Sequence, residues 1–171
     1  DRFDDFCELV IVDADSPDDE YEVIKRYLAR HKNINYIRCN YRLGIYDAWN
    51  VAAKAARGEY LTNTNMDDLR RHDSLMLQAA TLENLPFVDV VYQDLYYTFD
   101  ARLPFERIAD FGVQTTLPVI TPHNMIAFNS PHNAPMWRKR LHDEIGFFDT
   151  HYRSAGDYDF WLRCLEAGKK F

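Results

Sequence analysis

Two hydrophobic rhythms alternate over the first third of the chain, and that alternation leaves few folds open to it. Cys7 to Asp13 (CELVIVD) is a continuous apolar run of strand length, of the kind found in a central strand covered on both faces. Ser16-Pro17-Asp18-Asp19 then has the form of a helix start: a serine N-cap, proline at the first helical position and an acidic residue three places after the cap. Tyr21, Ile24, Tyr27, Leu28 and His31 follow at helical spacing. Asn35 to Cys39 reads as a short strand. Ile45, Trp49, Ala52, Ala53 and Ala56 mark a second helix, with Gly58 placed to close it as its C′ residue, and Glu59 to Asn63 supplies a third strand. Strand, helix, strand, helix, strand is the sequence form of right-handed crossovers. It predicts an open, mostly parallel α/β sheet with helices on both faces.

The third strand leads into Gly58 to Asp68, GEYLTNTNMDD, which ends in two carboxylates. In an open α/β sheet, ligands bind beyond the carboxyl ends of the strands. Mg²⁺ and Mn²⁺ are hard cations, usually held by one or two carboxylates together with substrate phosphates, so Asp67 and Asp68 point to a metal-diphosphate site. The competing reading makes Asn65, Asp67 and Asp68 turn residues that cap the next helix.

Beyond Asp68, Leu75, Met76, Ala79, Ala80 and Leu82 form a third amphipathic pattern that stops near Pro86. Phe87 to Phe99 alternates only in part and is expected to be one long strand or a bent pair. Residues 100–135 are rich in Pro, Asn, Thr and His without a sustained period, as in a loop-rich segment that shapes a site. His123 and His132 there are candidate metal or phosphate ligands, or loop histidines without a ligand. Met136 to Arg138 reads as a strand edge, followed by a short helix to about Ile145. Tyr158, Trp161, Leu162 and Leu165 then define a last helix that begins near Ser154 to Asp157 and ends at Gly168.

The 171 residues suffice for one domain with a full core, and a hydrophobic share of 47% places the chain among folded globular proteins. A formal charge of -7 argues against a nucleic-acid partner, which selects basic faces, so any phosphate site has to be local. No apolar run reaches the roughly 18 residues of a membrane span. Cys7, Cys39 and Cys164 are odd in number, far apart and set in apolar surroundings, which suits reduced core thiols and a cytoplasmic setting, including the cytoplasmic face of a membrane.

Taken in order, ELVIVDADSPDD, NYRLGIYDAWNVAAKAARGEYLTNTNMDD and APMWRKRLHDEIGFFDTHYRSAGDYDFWLR resemble a family 2 glycosyltransferase of the nucleotide-diphospho-sugar transferase, or GT-A, fold. The similarity runs over nearly the whole chain. It implies transfer of a sugar from a nucleotide diphosphate sugar to a saccharide, lipid-linked or other hydroxyl acceptor, with inversion and with Mn²⁺ or Mg²⁺. By the same resemblance Asp13 lies beside the nucleoside, Asp67 matches the last aspartate of the DXD motif that holds the metal with Asp68, and Asp157 matches the general base. Asp15, Asn65, Arg71 and His132 complete the expected nucleotide-sugar site. Ala14 stands where many members have a second aspartate, Asn65 opens the metal motif and Gly156 replaces the glutamate before the base. The family's first strand has no counterpart, so residues 1–171 are expected to be one catalytic domain trimmed at its N-terminus, with a C-terminal trim also open.

Asp157 has a local rival role, because Ser154-Ala155-Gly156-Asp157 also has the spacing of a capping box, and Asp159 is the alternative base. Two other classes compete. VIVDADSP resembles the nucleophile strand of haloacid dehalogenase-like phosphatases, with Asp13 and Asp15 as the pair. Ala14 and Asn65 motivate a non-catalytic binding relative that keeps the fold without turnover.

Overall fold

The computed structural model describes residues 3–65, 68–100, 102–132 and 134–171. After a short helix α1 (Phe3–Phe6), strand β1 (Leu9–Asp13) pairs in parallel with β2 (Ile34–Arg38), joined by helix α2 (Glu20–Leu28). The register sets Leu9 opposite Ile34 and Asp13 opposite Arg38. Helix α3 (Ile45–Ala55) packs on β1 and leads to β3 (Tyr60–Thr62). Glu8 ties the two regions together, its carboxylate accepting the Gly58 N–H at 2.9 Å and the Arg57 side-chain Nε–H at 3.1 Å.

A second sheet follows. Helix α4 (Ser74–Asn84) crosses from β3 to β4 (Val90–Val91), and β5 (Met136–Arg138) lies between those strands, antiparallel to both. Both ladders of this sheet are antiparallel, and among the described residues the parallel ladder is that of β1 and β2. Met136–Arg138, expected at an edge, is the middle strand with all three residues buried. The crossover from β3 to β4 leaves one slot between two strands of like direction, and β5 fills it running opposite to both. Arg138 then secures the slot: its buried guanidinium donates to Val88 O at 2.9 Å and to Leu82 O at 2.6 Å, where a cation suits the carbonyl end of α4.

Four other expectations shift. The helix foreseen at Ser16 begins at Glu20, because the Asp13 carboxylate takes the Ser16 N–H at 2.9 Å and bends the chain first. Gly58 is not a left-handed cap; α3 ends on Ala56 in extended backbone. Phe87–Phe99 yields only Val90–Val91 as strand: past Val91 the register runs to Pro135, which has no N–H to give, and Asp94 draws the chain toward Thr115 and the Leu117 N–H. Leu9–Val12 are half-buried rather than covered on both faces, with Val10 packed against the core.

Between residues 100 and 135 run helices α5 (Phe105–Asp110) and α6 (Pro122–Met125) and a 3₁₀ turn at Ser130–His132; α7 (Leu141–Glu144) and α8 (Gly156–Glu166) follow β5. The core joins Tyr46 and Ala53 of α3, Leu61, Val90 and Trp137 of the sheet, Phe148, and Phe160, Trp161 and Cys164 of α8. The three thiols are free, but only Cys164 is a core residue, and burial pushes it up to about 12. Among the described residues no helix is long and apolar enough to cross a membrane.

His142 sits in this core, 5% exposed and stacked between Phe147 and Phe160. Trp137 donates its indole N–H to His142 Nε2 at 3.1 Å, so the other nitrogen carries the proton and faces Gly146 O at 3.2 Å. Burial holds the imidazole below its ordinary pKa, and the folded state therefore keeps it neutral. The unfolded chain binds that proton more readily, so stability falls as pH drops through the unfolded value near 6.5. Thermal unfolding followed from pH 8 to pH 5 should show a declining midpoint, and His142→Gln should flatten that slope. An unchanged slope would remove His142 as its origin.

Candidate active site

Asp157 stands in the first turn of α8, after a left-handed Ala155 at φ 65°. No side chain caps this helix, so the capping box read from Ser154 and Asp157 does not form. The carboxylate turns instead toward two neutral donors from distant segments. Tyr46, at the start of α3, donates its phenol to Oδ1 at 3.1 Å, and Asn129, just before the 3₁₀ turn, donates Nδ2–H to Oδ2 at 2.8 Å. Burial first, and then the Asp157 charge, raise the Tyr46 phenol above its ordinary pKa, which keeps it a donor. Asp157 has no cationic partner among the described residues, whereas Asp159 is bound by Arg163 at 2.9 Å.

Gly156 explains how the phenol reaches this place. A Cβ there would stand 2.7 Å from two Tyr46 ring carbons, closer than side chains tolerate. Tyr46 cannot retreat, since it is 5% exposed and packs edge-on to Trp49 at 5.5 Å. Trp49 and Tyr46, both of which have the faces to stack on a ligand, are thus core residues. The Asn129 segment is placed by α6, whose Thr121 and Asn124 form a reciprocal capping box, and by Tyr158 of α8, which donates to Met125 O at 2.5 Å.

At the other expected positions the geometry is mixed. Asp13 is buried at the end of β1, where Tyr36 donates to Oδ2 at 2.6 Å and Ser16 N–H to Oδ1; these bonds, despite burial, hold its carboxyl below the usual range. A carboxylate so engaged is poorly placed to act as the phosphatase nucleophile. Asp15 is exposed in left-handed backbone at φ 59°. Asn65 donates to Asp68 Oδ2 at 2.8 Å, Arg71 is paired with Asp73, and His132 is exposed, with its Nδ1 against Asn129 O. Arg70 braces the end of β3, donating to Asn63 O at 2.6 Å and Thr62 Oγ1 at 2.8 Å.

Asp67, the expected metal ligand, lies outside the described residues. Among those described, no three His, Cys, Asp or Glu side chains converge as a metal cluster. The exposed Asp68 carboxylate and the Asn65 amide are an all-oxygen-capable pair, the donor chemistry of a hard cation that completes its shell with phosphates and water.

Sequence reasoning reached Asp157 through the resemblance and missed Asn129, which sits among Pro, His and Asn residues with no period to single it out. Nothing in the spacing of Tyr46 announces the role of its hydroxyl.

This architecture is the GT-A glycosyltransferase fold. Staphylococcus aureus TarS, residues 1–349, solved in complex with UDP, superposes with a TM-score of 0.68 and 25% identity over 90% of this chain and 44% of that one. Mannosyltransferase PcManGT from Pyrobaculum calidifontis, in complex with GDP-Man and Mn²⁺, gives 0.69 and 21% over 95% and 44%. The chain belongs to glycosyl transferase family 2, whose sequence profile matches residues 1–145. An uncharacterised glycosyltransferase of Methanocaldococcus jannaschii is 24% identical over 98% of the chain and 57% of its own length. A PGL/p-HBAD biosynthesis glycosyltransferase of Mycobacterium tuberculosis is 25% identical over 92% of the chain and 58% of its own. The chain thus spans little more than half the length of these curated relatives.

Gly156→Ala should lower stability by about 1–3 kcal/mol, the usual cost of overpacking, because the new methyl meets an immobile ring. Tyr46→Phe, which keeps the ring and loses one hydrogen bond, should cost about 0.5–1.5 kcal/mol. Urea unfolding of both variants measures the difference, and equal costs would contradict the steric account.

Proposed function

We propose that this chain carries the catalytic region of an inverting glycosyltransferase that moves a sugar from a nucleotide diphosphate sugar to an acceptor hydroxyl, with Asp157 as general base. The observation that carries the reading is the way Asp157 is held. Two neutral donors orient both oxygens and no cation is paired with them among the described residues, so the carboxylate is fixed in direction yet free to take a proton from an acceptor. Asp159, bound to Arg163, lacks that freedom.

In the step we envisage, the acceptor oxygen bonds to the anomeric carbon while the bond from that carbon to the phosphate oxygen breaks. The leaving nucleoside diphosphate takes the electron pair, and Asp157 takes the acceptor proton. One displacement with no enzyme nucleophile inverts the anomeric centre. Tyr46 and Asn129 hold the carboxylate through the proton transfer, which removes the cost of reorienting it. Asp67 and Asp68 would hold Mn²⁺ or Mg²⁺ at the diphosphate, where the cation supplies neutralisation of the charge that develops on the leaving group. Asp13 and the Ser16 bend it holds, with Asp15, Asn65, Arg71 and His132, line the proposed nucleotide-sugar side. The UDP and GDP-Man complexes of the structural neighbours support a nucleotide diphosphate donor.

Asp157→Asn should reduce turnover about 10²- to 10⁴-fold, the usual weight of general base catalysis, with nucleotide affinity retained. Turnover near the parental rate would remove Asp157 from the role. Calorimetry with UDP and GDP, each with and without Mn²⁺, should show Asp67→Asn losing the metal-dependent part of binding. Binding that ignores the metal in both forms would overturn the metal assignment.

A further inference from the structure

We propose that Arg70 is a positioning residue, which with Gln78 clamps the neck of the loop between β3 and α4 so that Asn65 and Asp68 meet a divalent cation in a fixed frame. This rests on the reading of Asp68 as a metal ligand. Residues 63 and 70 are the two stems of that loop, and the Arg70 guanidinium closes it across the neck. Its Nη2 donates to Asn63 O at 2.6 Å and to Thr62 Oγ1 at 2.8 Å, while Nη1 donates to Gln78 Oε1 at 3.2 Å.

Gln78 carries the clamp into the body of the fold. It is 3% exposed on α4. An arginine only donates and a backbone carbonyl only accepts, so one orientation of the amide serves both neighbours: Oε1 faces Arg70, and Nε2 donates to Ala134 O at 2.6 Å. Thr62 does the same with a single oxygen, accepting from Arg70 and donating to Pro135 O at 2.6 Å. Both ties end on residues 134–135, which lead directly into β5, the middle strand of its sheet. One side chain thus fastens the loop to α4 and to the entry of β5.

The charge of Arg70 links the clamp to the cation site. Among the described residues its acceptors are a carbonyl, a hydroxyl and an amide, all neutral. Burial lowers its pKa, and the charge of Asp68 pulls the other way. A half-buried cation without a bonded carboxylate is costly to keep, and the carboxylate that offsets this cost stands on the loop that Arg70 closes. A loop whose stems are already joined loses less freedom when its side chains gather on an ion, so the clamp supplies order before the metal arrives.

Mn²⁺ titration of this chain with UDP or GDP present, followed by the EPR signal of the free ion, tests the clamp. Arg70→Met should raise the Mn²⁺ midpoint about 10- to 100-fold, the usual weight of a residue that holds metal ligands in place, with nucleotide binding in EDTA unchanged. Gln78→Met keeps the arginine and carries the test by itself if Arg70→Met does not fold; it should move the midpoint the same way. The double variant should cost less than the product of the two factors, because both break one clamp. Charge by itself predicts the reverse, since removing a cation beside a cation site tightens Mn²⁺ binding. A tighter or parental midpoint in the single variants, independent factors in the double variant, or equal loss of nucleotide binding with and without metal overturns the proposal. If the parent takes up no Mn²⁺ with either nucleotide, or Asp68→Asn keeps the parental midpoint, the metal reading fails and the role of the clamp falls with it. If Asp68→Asn loses Mn²⁺ while Arg70→Met and Gln78→Met titrate like the parent, the clamp fails alone.

Discussion

Strand β5 enters a slot that β3 and β4 leave between them, and the placement of Asp157 depends on that entry. Strand β5 pairs antiparallel with both neighbours, so residues far along the chain return through the middle of the sheet. Trp137, on that strand, faces Trp161 of α8 at 5.4 Å between ring centres and donates to His142. Helix α8 is thereby held against the sheet, and its first turn projects Asp157 toward α3 and the Asn129 segment. Arg138 fixes the same strand from its other end by binding carbonyls of α4 and of the approach to β4.

The carboxylate is a meeting of three distant pieces: residue 46 at the start of α3, residue 129 before the 3₁₀ turn, and residue 157 itself. Each is positioned by apolar packing and backbone bonds, and only the last contact is polar. This division suits a proton acceptor. Rigid apolar support fixes the angle, while neutral donors leave the charge available, where an arginine would have tied it up as it ties Asp159. Gly156 is the steric condition of that arrangement, because any larger residue would occupy the space of the Tyr46 ring. The Tyr46 ring thus fills the space that a side chain at residue 156 would take and reaches the Asp157 carboxylate.

The opposite end of the molecule is more open. Asp13 commits its oxygens to the Ser16 bend and Tyr36, so it shapes the loop after β1. Arg70 and Arg71, neighbours in sequence, part in function: one braces the end of β3 from within, the other pairs with Asp73 at the surface. Neither is left as a free cation, which makes the loop between β3 and α4 a framed rather than a broadly basic surface.

By itself the sequence determined the α/β class, the strands and helices from β1 through α4 and the last helix, and through family resemblance it pointed to Asp157. These depend on local period and on motif order, which a single chain displays directly. Tertiary structure decided the rest: that Met136–Arg138 is central, that Ser16 serves a bend rather than a helix cap, that Ser154 and Asp157 make no capping box, and that Asn129 and Tyr46 clamp the carboxylate. Such outcomes turn on which distant groups compete for one hydrogen bond or one volume. Asp13 wins the Ser16 N–H, and Tyr46 wins the space beside residue 156, because packing elsewhere has already fixed where those groups lie.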